Sequence, residues 1–161
     1  MTVSEKTLKW ALCFYPPLLF QRIWVQQFHT GFRGVDVKIN KSLFNKNYNG
    51  SIFGGTIYAA TDPFYALLFD QLLQRHGFKI RVWLKSASIQ YVKPGRSALY
   101  FTIVITNEML NDAIEALNTK GKFVKAYPME IKDRNGQICA TVMNEVYIRN
   151  LHQGEQGPVA Y

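Results

Sequence analysis

The sequence predicts an α+β fold in which an antiparallel sheet curls around one buried helix. Residues 54–76 are apolar almost all round at helical spacing, which is typical of a helix enclosed by the rest of its domain. Segments with strand character flank that helix, and an Asn-Gly pair at residues 135–136 separates the last two. With 161 residues, of which 48% are hydrophobic, the chain suits one domain with a substantial core.

The N-terminal segment, residues 4–28, has a mainly helical pattern that a proline pair at residues 16–17 interrupts. Two lysines precede the apolar run of residues 10–20, an order that also occurs in signal peptides. An acidic residue among the lysines and the lack of a small-residue cleavage site argue against one, and the run is too short to span a bilayer. We expect a helix or helix pair that covers apolar surface, with no transmembrane segment; contact with a membrane surface is the alternative.

The central helix follows a strand and a polar loop. Residues 33–40 alternate between apolar and polar side chains, which predicts a half-buried strand, and residues 41–53 form the loop. We expect the helix to begin at Gly54 and to end near His76, with Gly77 as its C-terminal cap.

The second half of the chain is mainly β-structure. We predict strands over residues 80–92, 98–106, 122–132 and 137–149. A helix over residues 107–119 separates the middle two, with Asn107 as its N-cap and Gly121 at its end. The single domain, residues 1–161, would thus consist of an N-terminal helical segment over residues 1–28, a core over residues 30–149 and a tail over residues 150–161.

The net charge of +8 favours polyanionic partners such as nucleic acids, anionic lipids or phosphate-bearing ligands. The lysines and arginines are dispersed, so we expect no nucleic-acid partner. Cys13 and Cys139 lie far apart, and the three histidines lack metal-ligand spacing. We therefore expect two core cysteines rather than nucleophiles, no metal site, and a reducing, cytoplasmic location.

The candidate chemistry lies where the loop enters the central helix. Gly54 and Gly55 allow a ligand to approach closely and leave the first helical amides uncovered, so these amides could bind a carbonyl oxygen that gains negative charge. Asp62 would share a helix face with Gly55, about 10 Å along the axis. That separation is wide for one reacting group within a single chain, but natural if a second copy contributes one of the two components.

Structural explanations compete with this chemistry. The glycine pair could serve only a tight turn and close packing, and Asp62 with Pro63 could be the N-cap and first residue of a separate helix that follows a strand over residues 51–60. We favour one helix from Gly54, because an all-apolar strand would leave the glycines unexplained. That helix must then accommodate Pro63 with a kink.

These residues also carry a resemblance to a known family. The order Asn47, Gly50, Phe53, Gly54, Gly55 and then Asp62 resembles the N-x-x-G-x-x-H-G-G…D signature of hotdog-fold acyl-CoA thioesterases of the phenylacetyl-CoA type. The sequences VWLK, YVKP and DRNG at residues 82–85, 91–94 and 133–136 are similar to a thioesterase-like hotdog family of largely unknown function. That family is also similar to the C-terminal domain of some acetyltransferase-like proteins, and the resemblance covers residues 30–149.

The resemblance implies a hotdog fold and a homodimer with a sheet continuous across the interface, often paired into tetramers. It implies active sites at the interface and a thioester substrate carried on coenzyme A or an acyl carrier protein, with no separate cofactor. By position, the Gly55 amide would polarise the thioester carbonyl, Asp62 of the partner subunit would act as general base or nucleophile, and Asn47 would place the loop or the water.

The chain departs from the signature at one position, where Phe53 replaces the histidine. Substrate-binding positions implied by the motif or guessed from charge are Asn49, Gly50, Phe53, Gly54, Thr61, Lys85, Lys93 and Arg96. We expect Thr61 or Asn49 to supply hydrogen bonds to a buried Asp62.

Two further expectations concern ligand surfaces. The three cations among these positions would contact phosphates, although solvated strand ends are the alternative reading. An apolar tunnel could be lined by Trp83, Tyr91, Tyr100 and Phe101, with plain core positions as the alternative.

The sequence thus supports an acyl-CoA thioesterase first. A non-catalytic acyl-CoA or lipid binder on the same scaffold, favoured by Phe53, is the alternative. A basic protein that binds nucleic acid or membrane through its N-terminal segment is the third hypothesis.

Overall fold

Residues 3–152 are described by a computed structural model, in which six strands form one antiparallel sheet. The strands are β1 (Ile23–Phe28), β2 (Gly34–Ile39), β3 (Ile80–Tyr91), β4 (Leu99–Val104), β5 (Lys122–Asp133) and β6 (Ile138–Asn150). Their order across the sheet is β1-β2-β4-β5-β6-β3, so β1 and β3 form its two edges. The predicted α+β class is confirmed, and all five predicted strands lie within two residues of their expected ends.

Within residues 3–152, five α-helices accompany the sheet, together with a short 3-10 helix at Thr30–Phe32. They are α1 (Glu5–Cys13), α2 (Pro16–Phe20), α3 (Gly54–Thr61), α4 (Pro63–Arg75) and α5 (Asn107–Lys120). Asp62, between α3 and α4, has helical dihedral angles of φ −62° and ψ −57°, so the two helices follow one path. This confirms the helix predicted from Gly54, which is interrupted where Pro63 lacks the N–H of a regular turn.

The core lies between this helical path and the concave face of the sheet. Phe64, Leu68 and Phe69 are fully buried on the inner side of α4. The ring of Phe64 lies 5.8 Å from that of Phe101 on β4, and the ring of Phe69 lies 6.1 Å from that of Phe123 on β5. Aromatic packing therefore fixes the helix against the middle of the sheet.

The helical prediction for residues 4–28 is wrong over its last third. Residues 23–28 form β1, which pairs with β2 through Ile23 opposite Ile39 and Phe28 opposite Val35. Arg22, with a left-handed φ of 60°, turns the chain from α2 into this strand. The period of apolar residues in a short segment does not separate helix from strand, and pairing with β2 decides in favour of the strand.

The caps of α5 differ in one detail from the prediction. Thr106, rather than Asn107, is the N-cap, because its hydroxyl accepts a hydrogen bond from the Met109 amide at 3.2 Å. Gly121 ends the helix in the left-handed conformation, as expected. In residues 3–152 no helix is long and apolar enough to cross a membrane. Most of the predicted C-terminal tail, residues 153–161, lies outside the described residues.

Candidate functional site

The loop before α3 is closed by Asn47. Its side-chain amide donates to the Ser51 hydroxyl at 2.9 Å, and its side-chain oxygen accepts from the Ser51 amide at 3.1 Å. The Gly50 amide donates to the Asn47 carbonyl at 3.0 Å, and Gly50 has a left-handed φ of 76°. Asn47 and Gly50 therefore shape the turn that delivers the chain to the helix, while Asn49 is exposed on it.

The two glycines at the start of α3 each make room for an aromatic ring. A Cβ on Gly54 would lie 3.0 Å from the ring of Tyr91, whose hydroxyl donates to the Gly54 carbonyl at 2.8 Å. A Cβ on Gly55 would lie 2.3 Å from Cε1 of Phe53. Within the described residues, neither glycine amide has a hydrogen-bond acceptor, and no side chain caps the helix. The start of α3 thus combines uncovered amides with two adjacent rings.

A small cavity of about 270 Å³ lies beside this helix start. Its lining residues are Asn47, Ser51, Ile52, Gly54, Ile57, Tyr91, Val92, Lys93, Pro94 and Gly95. The cavity thereby brings Asn47 and Gly54 of the motif together with the YVKP segment, residues 91–94, at the end of β3. A larger cavity of about 670 Å³ lies elsewhere, between β4 and β5, where the two strands pair only through Leu99 and Tyr100.

Asp62 lies on a stripe of the helix that this chain leaves uncovered. Gly55, Tyr58 and Asp62 are exposed, and their spacing of three and four residues places them on one face. The expectation that the helix is buried all round is therefore wrong for this stripe. Burial of the carboxyl among its neighbours still raises the pKa of Asp62, and no group in residues 3–152 pairs with it.

The expected partners of Asp62 bind elsewhere. The Thr61 hydroxyl donates to the Tyr58 carbonyl at 2.8 Å, as buried hydroxyls on helices often do, and Asn49 lies out on the loop. Both expected hydrogen bonds to Asp62 are therefore absent from the structure of residues 3–152. The prediction that Asp62 is buried is also wrong for the single chain, in which it is exposed.

Asn144 is a buried polar residue beside the site that was not predicted from the sequence. This fully buried residue on β6 donates from its side chain to the Thr61 carbonyl at 2.8 Å, one residue before Asp62. Its side-chain oxygen has no partner among the described residues. The bond ties the interrupted helix to the sheet. The available signal was a polar residue at an inward-facing strand position between Val142 and Val146, and a separation of 83 positions in sequence conceals the contact with Thr61.

The three predicted phosphate-binding cations are dispersed. Lys85 forms an ion pair with Glu145 at 3.1 Å, and Lys93 donates to the side chain of Gln137. Arg96 is exposed and its carbonyl accepts from Lys41 at 3.3 Å. Lys93 lines the cavity beside α3, whereas Lys85 lies on the exposed edge strand. Surface ion pairs are weak, so Lys85 could exchange Glu145 for an anionic ligand.

The four proposed tunnel residues do not line one space. Trp83 stacks on Tyr147 at 4.5 Å and is partly exposed, Tyr91 contacts the start of α3, and Tyr100 and Phe101 border the cavity between β4 and β5.

Cys13 and Cys139 are both buried and form no disulfide, and burial raises the pKa of the Cys139 thiol. The Cys139 thiol therefore lacks the lowered pKa of a reactive thiolate.

Replacing Asp62 with asparagine should raise the Tm near neutral pH. Because burial raises the pKa of Asp62, the folded chain binds this proton more tightly than the unfolded chain does, and ionisation at neutral pH costs stability. The gain should vanish below about pH 4, where the carboxyl is protonated in both states. Thermal unfolding of both proteins at pH 7 and at low pH tests this. Asp112→Asn, which removes an exposed pair with Lys125, is the control and should not raise the Tm. A Tm that is unchanged or lower in Asp62→Asn at pH 7 contradicts the prediction.

The chain is similar in sequence to one protein family and in structure to several solved proteins. The model of the DUF4442 family, a domain of unknown function, matches residues 4–148. PA5026 of Pseudomonas aeruginosa, described as a protein of unknown function and probable thioesterase, is similar in structure with a TM-score of 0.75 at 14% identity, over 93% of this chain and 98% of that one.

Two further solved structures are similar over most of their length. Thioesterase HI1161 of Haemophilus influenzae has a TM-score of 0.69 at 13% identity, over 97% of each chain. E. coli PaaI, from the phenylacetic acid degradation operon, has a TM-score of 0.61 at 14% identity, over 92% of this chain and 96% of that one. A search of curated proteins found no match. The likenesses confirm the hotdog fold expected from the sequence.

Proposed function

The chain belongs to the DUF4442 family and has the hotdog fold, and from this premise we propose that it is an acyl-CoA thioesterase whose sites form between two copies. One observation carries the proposal. The uncapped start of α3 and the partnerless carboxyl of Asp62 lie on the same uncovered helix face. Electrophilic assistance and a base are the two groups that thioester hydrolysis needs.

A second copy is required by the distance between these groups. Gly55 and Asp62 are seven residues apart on one helix, about 10 Å along the axis, so they cannot both contact one carbonyl group. Two antiparallel copies of the helix would place Gly55 of one chain near Asp62 of the partner subunit. The proposed site is therefore complete only in a dimer.

The edge of the sheet offers the surface for that dimer. β3 is a 12-residue edge strand, and such a long unpaired edge is a ready template for pairing with another chain. α4 packs against β3, so edge-to-edge pairing would also bring the central helices of two copies together. A homodimer with a continuous sheet follows, and pairing of dimers into a tetramer is compatible with it.

The proposed reaction uses a water molecule as nucleophile. The Gly55 amide donates to the thioester oxygen, which gains charge as water adds to the carbonyl carbon. Asp62 of the partner subunit takes the proton from that water, and collapse of the intermediate breaks the C–S bond and releases coenzyme A and a carboxylic acid. The raised pKa of Asp62 makes its carboxylate a stronger base than a fully solvated one. No separate cofactor is needed.

The ligand's phosphates suit the charge of the chain. Coenzyme A carries several phosphates and the net charge is +8. Lys93 lines the cavity beside α3, and Arg96 follows the last lining residue, Gly95, in the chain. A phosphopantetheine arm on an acyl carrier protein is a second form of the same thioester. The unpaired cysteines suit a reducing compartment, which leads us to propose the cytoplasm.

A non-catalytic acyl-CoA binder is the second candidate, and Phe53 favours it. Its ring lies against Gly55, where the related signature has an imidazole that could contact the carbonyl or the loop. The ring is 57% exposed, so it is free to pack on an acyl chain. Binding without turnover would then be the function of the same cavity.

Release of coenzyme A from a panel of short, long and aryl acyl-CoA esters decides between the two. We expect turnover by the wild type. Binding of acyl-CoA without release of coenzyme A would support the binder instead. Neither binding nor release would reject both candidates.

Mixing two inactive variants tests whether the site is shared. Gly55→Val and Asp62→Ala should each be inactive, because one crowds the helix start and the other removes the base. When unfolded and refolded together, they should recover about a quarter of the wild-type activity, since half of randomly formed dimers are mixed and each has one intact site. Gly55→Val refolded with the double variant Gly55→Val,Asp62→Ala is the matched control, because its mixed dimers contain no intact site. No recovery in soluble mixed dimers contradicts a shared site.

A further inference from the structure

A cluster of aromatic side chains on the outer side of the N-terminal helices takes no part in the proposed site. We define this aromatic surface by Trp10, Phe14, Tyr15, Phe20 and Phe44. Each of them is between 50% and 70% exposed in the structure. Clusters of this kind on a folded domain mark a surface that contacts a partner or a membrane.

The exposed rings are a consequence of how α1 packs. Leu8, Leu12 and Cys13 face the core, and they already supply the apolar face that a surface helix needs. Trp10 and Phe14 lie on the opposite face, where polar residues are usual, and their rings stack at 6.0 Å. Core packing therefore does not explain them.

The loop before α3 continues this surface. The Asn45 side chain donates to the Gln21 carbonyl at 2.7 Å, which fixes the loop beside the end of α2. The guanidinium of Arg22 lies 5.0 Å from the ring centroid of Phe44. α1, α2 and the loop thus present their rings on neighbouring segments, which reach towards the start of α3.

The part of the chain that carries the aromatic surface has an excess of positive charge. Residues 3–61 contain seven lysines and arginines but only two acidic residues, Glu5 and Asp36. Glu5 is occupied by the Gly31 amide at 3.0 Å and by Arg75 at 3.7 Å. Asp36 accepts from Thr102 at 2.7 Å and from Gln27 at 2.6 Å. The charge of Glu5 is thus compensated by Arg75, and Asp36 lies on β2 rather than on the segments that carry the rings.

We infer that the aromatic surface docks the protein on an anionic lipid bilayer. Trp, Tyr and Phe rings enter the boundary between headgroups and acyl chains, while neighbouring Lys and Arg bind lipid phosphates. Lys6 and Lys9 supply such cations on α1, and the ammonium group of Lys9 lies 5.6 Å from the ring of Trp10. Exposed rings with lysine and arginine side chains beside them match an anionic bilayer surface in both polarity and charge.

Vesicle flotation tests the charge requirement. The wild type should float with vesicles of phosphatidylcholine and phosphatidylglycerol in equal parts, but not with phosphatidylcholine alone, and 1 M salt should weaken binding. Lys6→Glu with Lys9→Glu should reduce partitioning about tenfold or more. Lys120→Glu with Lys122→Glu, at the junction of α5 and β5, changes net charge equally and should retain most of the binding. Equal losses in both double variants, or no flotation of the wild type, would overturn the inference.

Tryptophan fluorescence tests which residues enter the bilayer. Of the three tryptophans, Trp10 and Trp83 are partly exposed, at 50% and 43%. Anionic vesicles should shift the wild-type emission to shorter wavelength, Trp10→Phe should abolish the shift, and Trp83→Phe should retain it. A shift that persists in Trp10→Phe would overturn the proposed face.

Trp10→Ser with Phe14→Ser should lose vesicle binding yet keep its oligomeric state. If this variant instead loses self-association and the wild type ignores vesicles, a second copy covers the surface and the inference fails.

Discussion

Asp62→Ala should lower acyl-CoA hydrolysis by about a hundredfold or more, the scale of losing a positioned acid–base group. The Asp62 carboxyl lies on the same exposed helix stripe as the uncapped start of α3. No partner among the described residues gives this carboxyl a structural role. Its removal leaves the Gly55 amide in place, so substrate binding should change little. The expected result is therefore a loss in kcat with a KM close to that of the wild type.

Steady-state kinetics and thermal unfolding, measured on the same preparations, test this prediction. Asp62→Asn should be as inactive as Asp62→Ala while it unfolds at a higher temperature than the wild type at pH 7. Asp112→Asn, on α5, should keep full activity. If Asp62→Ala retains the wild-type rate, Asp62 is not the base and the proposed chemistry is wrong. The wild-type rate should also fall as the pH drops through the raised pKa of Asp62, because only the carboxylate can accept a proton.

Phe69→Ala should destabilise the fold by about 3–5 kcal/mol, the range measured for truncation of a buried aromatic residue. Phe69 is fully buried on α4, and its ring lies 5.7 Å from the ring of Tyr127 and 6.1 Å from that of Phe123. Alanine would leave a cavity between the central helix and β5, where the sheet cannot close around the gap without losing its strand pairing.

Urea unfolding followed by circular dichroism measures the change in the free energy of unfolding. Phe20→Ala is the matched control, because its ring is 65% exposed, and its effect should stay within about 0.5 kcal/mol in the absence of membranes. A loss below about 1 kcal/mol in Phe69→Ala would mean that the helix is not anchored by this cluster.

Local sequence features predicted most of the elements correctly. The alternation in residues 33–40, the Asn-Gly turn at residues 135–136 and the glycine after α5 depend on neighbours in the chain, so their structural outcome can be inferred from a few residues. The same holds for the helix start at Gly54, where the glycine pair also predicted uncovered amides that could bind a carbonyl oxygen. Only β1 was misassigned, since its strand character depends on β2 as a pairing partner.

The candidate site was predicted less completely. Phe53, Gly54 and Gly55 were predicted as site residues from their order in the chain. The reason that both glycines are needed is visible only in the structure, where the ring of Tyr91 lies against Gly54 and the ring of Phe53 lies against Gly55. Asn144 was not found at all, because it reaches Thr61 from a strand 83 residues away.

The sequence by itself therefore determined the α+β class, the order of the elements from β2 onward and the start of the central helix at Gly54, because short-range sterics and hydrophobic periodicity set these features. Within residues 3–152, the tertiary structure alone decided that Asp62 faces outward without a partner, that β3 is an edge strand and that aromatic rings lie on the outside of α1. These properties depend on which surfaces remain after the helix has packed into the sheet. No local pattern encodes what the rest of the chain leaves uncovered.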